Sequence, residues 1–154
     1  MSTSLTRATY SHTQRAPLCW ILYGSALACL VLGATVGPPP AMLIATATGL
    51  LLALLATAFH HLTVADQGDA LAIRFGPLPL FGRRARYADI AGADVGRTLI
   101  LDGWGIHMSL RGGWVWNLWG RDCVVVHFKQ GATLRIGTDD AENLAAFLQR
   151  KLPA

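Results

Sequence analysis

The sequence predicts an α+β protein: a two-helix transmembrane hairpin, then about seven short antiparallel strands and a C-terminal helix. Three observations predict it. Residues 16–65 contain no Asp, Glu, Lys or Arg, whereas residues 66–154 carry 11 basic and 9 acidic side chains. Three consecutive prolines, Pro38 to Pro40, cut the uncharged stretch in two. Beyond residue 62 the apolar residues stop running continuously and begin to alternate.

Each helix follows from length. Leu18 to Val36 and Ala41 to Phe59 are runs of 19 residues each. At 1.5 Å per residue each spans about 28 Å, close to the roughly 30 Å of a bilayer core. Gly37 and the three prolines stop a continuous helix, because proline lacks the N–H donor and clashes with the preceding turn. So short a link makes the helices antiparallel. The chain then divides into a tail (1–17), a hairpin (18–61) and a globular domain (62–154). Gly24 with Ala28, and Ala45 with Gly49, are small residues at helical spacing and predict the face where the helices meet. A cleaved signal peptide is disfavoured by the length of the first run. Ala26-Leu27-Ala28-Cys29 is a poor lipobox, so Cys29 reads as a packing residue.

Orientation follows from the flanks. Arg7 and Arg15 precede the hairpin, Arg74, Arg83, Arg84 and Arg86 follow it, and the turn carries no basic residue. The positive-inside rule places both termini in the cytoplasm. Composition excludes other classes. The formal net charge is +4 and 14% of residues are charged, against about 25% for soluble proteins. A disordered chain, a disulfide scaffold and a soluble nucleic-acid binder are excluded.

The strands are read from alternation and turns. Leu71, Ile73 and Phe75 share one parity, and Val124, Val126 and Phe128 another. Further strands are expected over 84–90, 99–101, 105–110, 114–118 and 132–136, with Gln130-Gly131 as a hairpin turn. Thr138 or Asp139 is the expected cap of the last helix, and Asp139 with Glu142 fits a capping box. Leu144, Phe147, Leu148 and Leu152 mark its apolar face.

A resemblance adds to this. Gly103-Trp104-Gly105-Ile106, Gly113-Trp114-Val115-Trp116-Asn117, Asp122-Cys123-Val124-Val125-Val126 and Leu134-Arg135-Ile136-Gly137-Thr138-Asp139 lie along residues 62–152. This series resembles small bacterial membrane-anchored pleckstrin-homology-like (PH-like) domain proteins. The resemblance implies an antiparallel barrel or bent sheet closed by the C-terminal helix, in the bacterial cytoplasmic (inner) membrane. It implies no catalytic residue. The clustered Lys and Arg of phosphoinositide-binding PH domains are missing from the first loops.

The residues offer little chemistry. There is no C-x-x-C, no P-loop, no G-x-S-x-G and a single glutamate, Glu142. No cofactor is implied and an enzyme is not expected. His107 and His127 read as solvent-exposed and possible strand neighbours. Two surface features stand out. The first is the apolar loop ending in Leu80, next to Arg83, Arg84 and Arg86, which suits anionic lipid. The second is Trp104, Trp114, Trp116 and Trp119, four of the five tryptophans. Trp114 and Trp116 share parity and suit an interface. The expected function is a membrane-anchored binding or scaffold module. Leu80, Arg83, Arg84, Arg86, Trp114 and Trp116 would contact a membrane protein complex or lipid headgroups. The alternative is a metal- or haem-binding membrane subunit using His60 or His61. A third reading makes the hairpin itself the contact with a larger partner.

Overall fold

A computed structural model of the 154-residue chain describes residues 9–78 and 80–152. Arg7, used above, and Pro79 of the apolar loop that ends in Leu80 lie outside them. In order the elements are β1 (Ser11–Arg15), α1 (Leu18–Thr35), α2 (Pro39–Ala58), β2 (His61–Asp66), β3 (Ala70–Phe75), β4 (Phe81–Arg86), β5 (Ile90–Arg97), β6 (Gly105–Met108), β7 (Trp114–Asn117), β8 (Asp122–Phe128), β9 (Thr133–Gly137) and α3 (Ala141–Lys151). Single 3-10 turns cover Tyr87–Asp89 and Ile100–Asp102.

Both α1 and α2 are long and apolar enough to cross a membrane. Trp20, Ile21, Leu27, Leu43, Ile44 and Leu50 are exposed along them, whereas the core helix of a soluble protein would bury such side chains. α2 starts at Pro39, two residues before its expected start. Proline is tolerated there because the first-turn N–H groups have no intrahelical acceptor. The helices meet through Ala26 and Gly33 of α1 and Gly49 of α2, all buried. A methyl group on Gly49 would lie 2.9 Å from Leu30 Cδ2 and 3.0 Å from Ala26 O. One on Gly33 would lie 2.9 Å from Thr46 N. Gly49 therefore serves as expected, but Gly24 has nothing within 4 Å and Ala28 is exposed. The contact face of α1 is set by Ala26 and Gly33 instead.

The globular part holds two sheets with strand orders β1-β2-β3-β4 and β5-β8-β9-β7-β6. All pairings are antiparallel except β7 with β9. The sheets do not close into one barrel. The tail is part of the first sheet: β1 pairs with β2, with Arg15 opposite His61 and Ser11 opposite Ala65. The helical hairpin is thus an insertion between two paired strands. The single strand expected over 84–90 is instead the end of β4, a 3-10 turn and the start of β5. The strand expected over 99–101 is largely the second 3-10 turn. There Asp102 accepts hydrogen bonds from the Leu99 N–H (2.9 Å) and the Ser109 hydroxyl (3.2 Å). The β8–β9 turn runs through Gln130-Gly131, as read, with Gly131 at φ 85°.

Leu62, Val64, Leu71, Ile73 and Phe75 of the first sheet pack against Val124, Val126, Leu134 and Ile136 of the second. α3 adds Leu144, Phe147 and Leu148 to that core. It is tied to the first sheet by the Tyr10–Phe147 ring stack at 5.4 Å and by Lys151, which donates to Asp66 at 2.8 Å. Its cap differs from the expected one. Asp140 is the N-cap residue, and Thr138 Oγ1 accepts the Asp140 N–H at 3.1 Å. The aspartates are engaged elsewhere: Tyr10 donates to Asp140 and His12 pairs with Asp139.

Candidate functional site

The functional features gather where the helices enter the β domain. Gly76 ends β3 at φ 63°, a left-handed conformation. A methyl there would come within 2.5 Å of Ala58 O and 2.6 Å of Thr57 O. The chain at Gly76 is therefore pressed onto the last turn of α2. Phe59 fixes it further, its ring 5.8 Å from Phe81 and 5.2 Å from Phe75. Beyond this contact Leu78, Leu80 and Phe81 are exposed.

A second loop borders the same base. Trp104, Gly105 and Leu118 line a shallow cleft together with Leu18, Leu22, Leu55 and Phe59 of the hairpin. The preceding residues Ile100 and Leu101 are 76% and 83% exposed. Two apolar loops thus flank the point where the helices leave the sheet.

The larger cleft, of about 460 Å³, lies beside the second loop and is lined by Leu99, Ile100, Gly103, Trp104, Trp119, Gly120 and Arg121. Its floor is a ring stack, with Trp104 and Trp119 centroids 4.4 Å apart and planes at 21°. The stack is held from behind. Gln14 donates to Trp119 O at 3.1 Å, and Asn117 donates to Gly103 O (3.3 Å) and Gly120 O (3.0 Å). Asn117 is fully buried against Gly137, where a methyl would lie 2.6 Å from its Cγ.

The expected basic group is rearranged. Alternation along β4 puts Arg84 and Arg86 on the outer face and Arg83 on the face of buried Ala85. Arg83 sits 6.0 Å over the Phe128 ring, Arg84 lies 3.7 Å from Asp69, and Arg86 donates to Asp89 at 2.9 Å. The three arginines do not form one patch. Register instead places Arg15, Arg74, Arg84 and Arg86 on the outer face of the first sheet. Arg15 and Arg74, missed as site residues, lie nearest the helices.

The tryptophans separate likewise. Trp116 is only 8% exposed and packs 5.8 Å from the Phe75 ring, so it is a core residue and not a surface contact. Trp114, at the far end of β7, is 45% exposed beside exposed Met108 and Leu110. Shared parity does not give the two residues one environment: Trp114 lies at the strand end and Trp116 inside it.

The histidines also differ from expectation. The Nδ1 atoms of His60 and His61 are 3.2 Å apart, and burial with His60 and Arg15 nearby holds His61 below the usual histidine range. His107 and His127 are not neighbours, since β9 and β7 lie between their strands. His127 pairs with Asp94 at 3.2 Å, and the His107 Nε2 atom is buried. Among the described residues, no three of His, Cys, Asp and Glu gather closely enough to hold a metal.

The fold and this end of it define an α+β chain: two helices of membrane-spanning length and a two-sheet domain seated at their base. No protein-family model matches the chain, and no curated protein matches it.

Proposed function

We propose that the chain is an integral protein of the bacterial inner membrane whose PH-like domain is a binding and scaffold module held at the cytoplasmic surface. One observation carries this reading: exposed apolar side chains, Leu78, Leu80 and Phe81 on one side and Ile100, Leu101 and Trp104 on the other, flank the helix base on the domain side. Apolar side chains at that level suit the headgroup boundary of a bilayer. Arg15 and Arg74 stand beside them, and a basic residue near an anionic surface contributes about 1 kcal/mol.

The pairing of β1 with β2 supports both flanks lying on one side, and the basic residues of those flanks favour the cytoplasm. A four-stranded sheet, then β5-β8-β9 and a closing helix, supports the PH-like reading, with the β6–β7 hairpin as an addition. Tethering raises the effective concentration of any membrane partner to about the mM range for a short link. A small patch such as Met108, Leu110 and Trp114 then suffices for a protein partner.

Photo-crosslinking in intact cells tests this, with probes at Leu80 and Trp114. Lipid adducts at Leu80 and a discrete protein adduct at Trp114 are expected. No adduct at either position contradicts the reading.

A further inference from the structure

We propose that the cleft between loop 99–104 and residues 118–121 binds one anionic phospholipid. Its phosphate lies on the Arg121 guanidinium, and its glycerol and upper acyl carbons lie against Trp104, Trp119 and Ile100. The proposal rests on the membrane reading above and adds a defined site to it.

The lining separates into two chemistries. The floor and walls are apolar: Leu99, Ile100 and the Trp104–Trp119 stack. The stack is rigid because Gln14 and Asn117 fasten the backbone on either side of it, so little order is lost when a ligand settles there. The one charged lining residue is Arg121, and it is exposed. Among the described residues no carboxylate lies within 4 Å of it. Its neighbour Asp122 is taken by Arg97 at 3.0 Å. Among the described residues, the one hydrogen bond that Arg121 makes through its side chain is from Nε to Thr98 O at 3.4 Å. Its terminal nitrogens are left to a ligand, and a guanidinium fork matches phosphate oxygens two at a time.

Position selects a lipid over a soluble anion. Trp104 lines this cleft and also the groove formed by Leu18, Leu22, Leu55 and Phe59 at the hairpin base. The cleft therefore adjoins the hairpin base, with Trp104 as the wall that the two share. A soluble phosphate compound would use Arg121 and leave the tryptophan floor bare. A phospholipid satisfies both ends. A net anionic headgroup keeps the attraction that a choline cation would offset.

The test uses the full chain in nanodiscs of mixed phosphatidylglycerol and phosphatidylcholine, with retained lipid counted by native mass spectrometry. One phosphatidylglycerol per chain is expected, preferred at least about fivefold over phosphatidylcholine. Arg121→Gln should reduce that preference to the level of phosphatidylcholine, and Ile100→Asp, on an exposed side chain at the mouth, should do the same. Arg84→Gln should leave it unchanged. Glycerol 3-phosphate and inorganic phosphate at millimolar concentration should not displace the lipid. Displacement by either would assign the site to a soluble phosphate and overturn the proposal. Equal retention of both lipids, or no effect of Arg121→Gln, would overturn it too. Alkaline carbonate extraction of the source membranes separates the two claims. A chain that stays in the membrane but shows no lipid preference defeats this inference alone. A chain that washes off defeats the membrane reading and this inference together.

Discussion

Arg15 and His61 are register partners at the ends of β1 and β2, and the entire helical hairpin hangs between them. An insertion in a strand pair differs from a flexible tether. Both helix ends are fixed by the same sheet, so the domain cannot rotate freely about its anchor. Gly76, Phe59 and Phe81 lock the β3–β4 loop to the same base. The orientation of the domain against the helical hairpin is therefore a property of the fold.

Gly76→Ala should loosen that lock. The added methyl meets two carbonyl oxygens of α2, and the residue must hold φ 63°. A loss of about 2 kcal/mol is expected from the combined clash and strain. Thermal unfolding in detergent checks it, with Gly68→Ala as a comparison: φ is 89° there, but nothing lies within 4 Å.

Small residues at the helix contact should be intolerant of bulk. Gly49→Leu and Gly33→Ile should separate α1 from α2 at about 1–3 kcal/mol each, the usual cost of overpacking. Gly24→Leu should be tolerated, because that position has nothing within 4 Å. Cysteine-pair crosslinking between the helices would report the separation. Equal effects of all three substitutions would contradict the contact face.

Stability should fall with acid through Asp66. Burial opposes its ionisation, but donation from Lys151, Tyr87 and the Gly68 N–H outweighs burial and holds its carboxyl below the usual range. A depressed native value stabilises above the unfolded value of about 3.9 and loses that contribution as pH falls through the native one. Lys151→Met should cost about 2 kcal/mol at pH 7 and much less at pH 3. Melting curves of both proteins at the two pH values measure the difference. A gap unchanged at pH 3 would contradict the assignment.

Cys123 should be inert in the native chain. It is fully buried, and burial pushes its thiol up to about 11. At pH 8 very little thiolate is present. N-ethylmaleimide should modify it only after denaturation, as read by peptide mass. Rapid native labelling would mean that the β5–β8 edge opens.

The sequence shows some of these features and hides others for physical reasons. Leu71-Ile73-Phe75 and Val124-Val126-Phe128 declared their strands because large buried apolar side chains recur at every second position. β1 gave no signal, since Ser-His-Thr-Gln-Arg is a mostly polar edge strand. β5 was obscured by Ala, Gly and Asp, which carry little strand preference. The hairpin was legible from charge alone, but its face was not, because small residues are frequent all round both helices. Arg15 joins Arg74 only through two strand registers. Trp104 meets Trp119 only after β7 turns the chain back. Such pairings depend on tertiary structure and leave no local pattern.

The most direct test is nitroxide depth in reconstituted vesicles, with single labels at Leu80, Leu101 and Leu110 in a background lacking Cys19, Cys29 and Cys123. Labels at Leu80 and Leu101, exposed apolar positions of the two loops, should show oxygen accessibility in excess of an aqueous nickel complex, as side chains in the headgroup boundary do. The Leu110 label, on the turn at the other end of the β6–β7 hairpin, should show the reverse. Three equally aqueous labels would contradict a domain seated on the bilayer by its apolar loops.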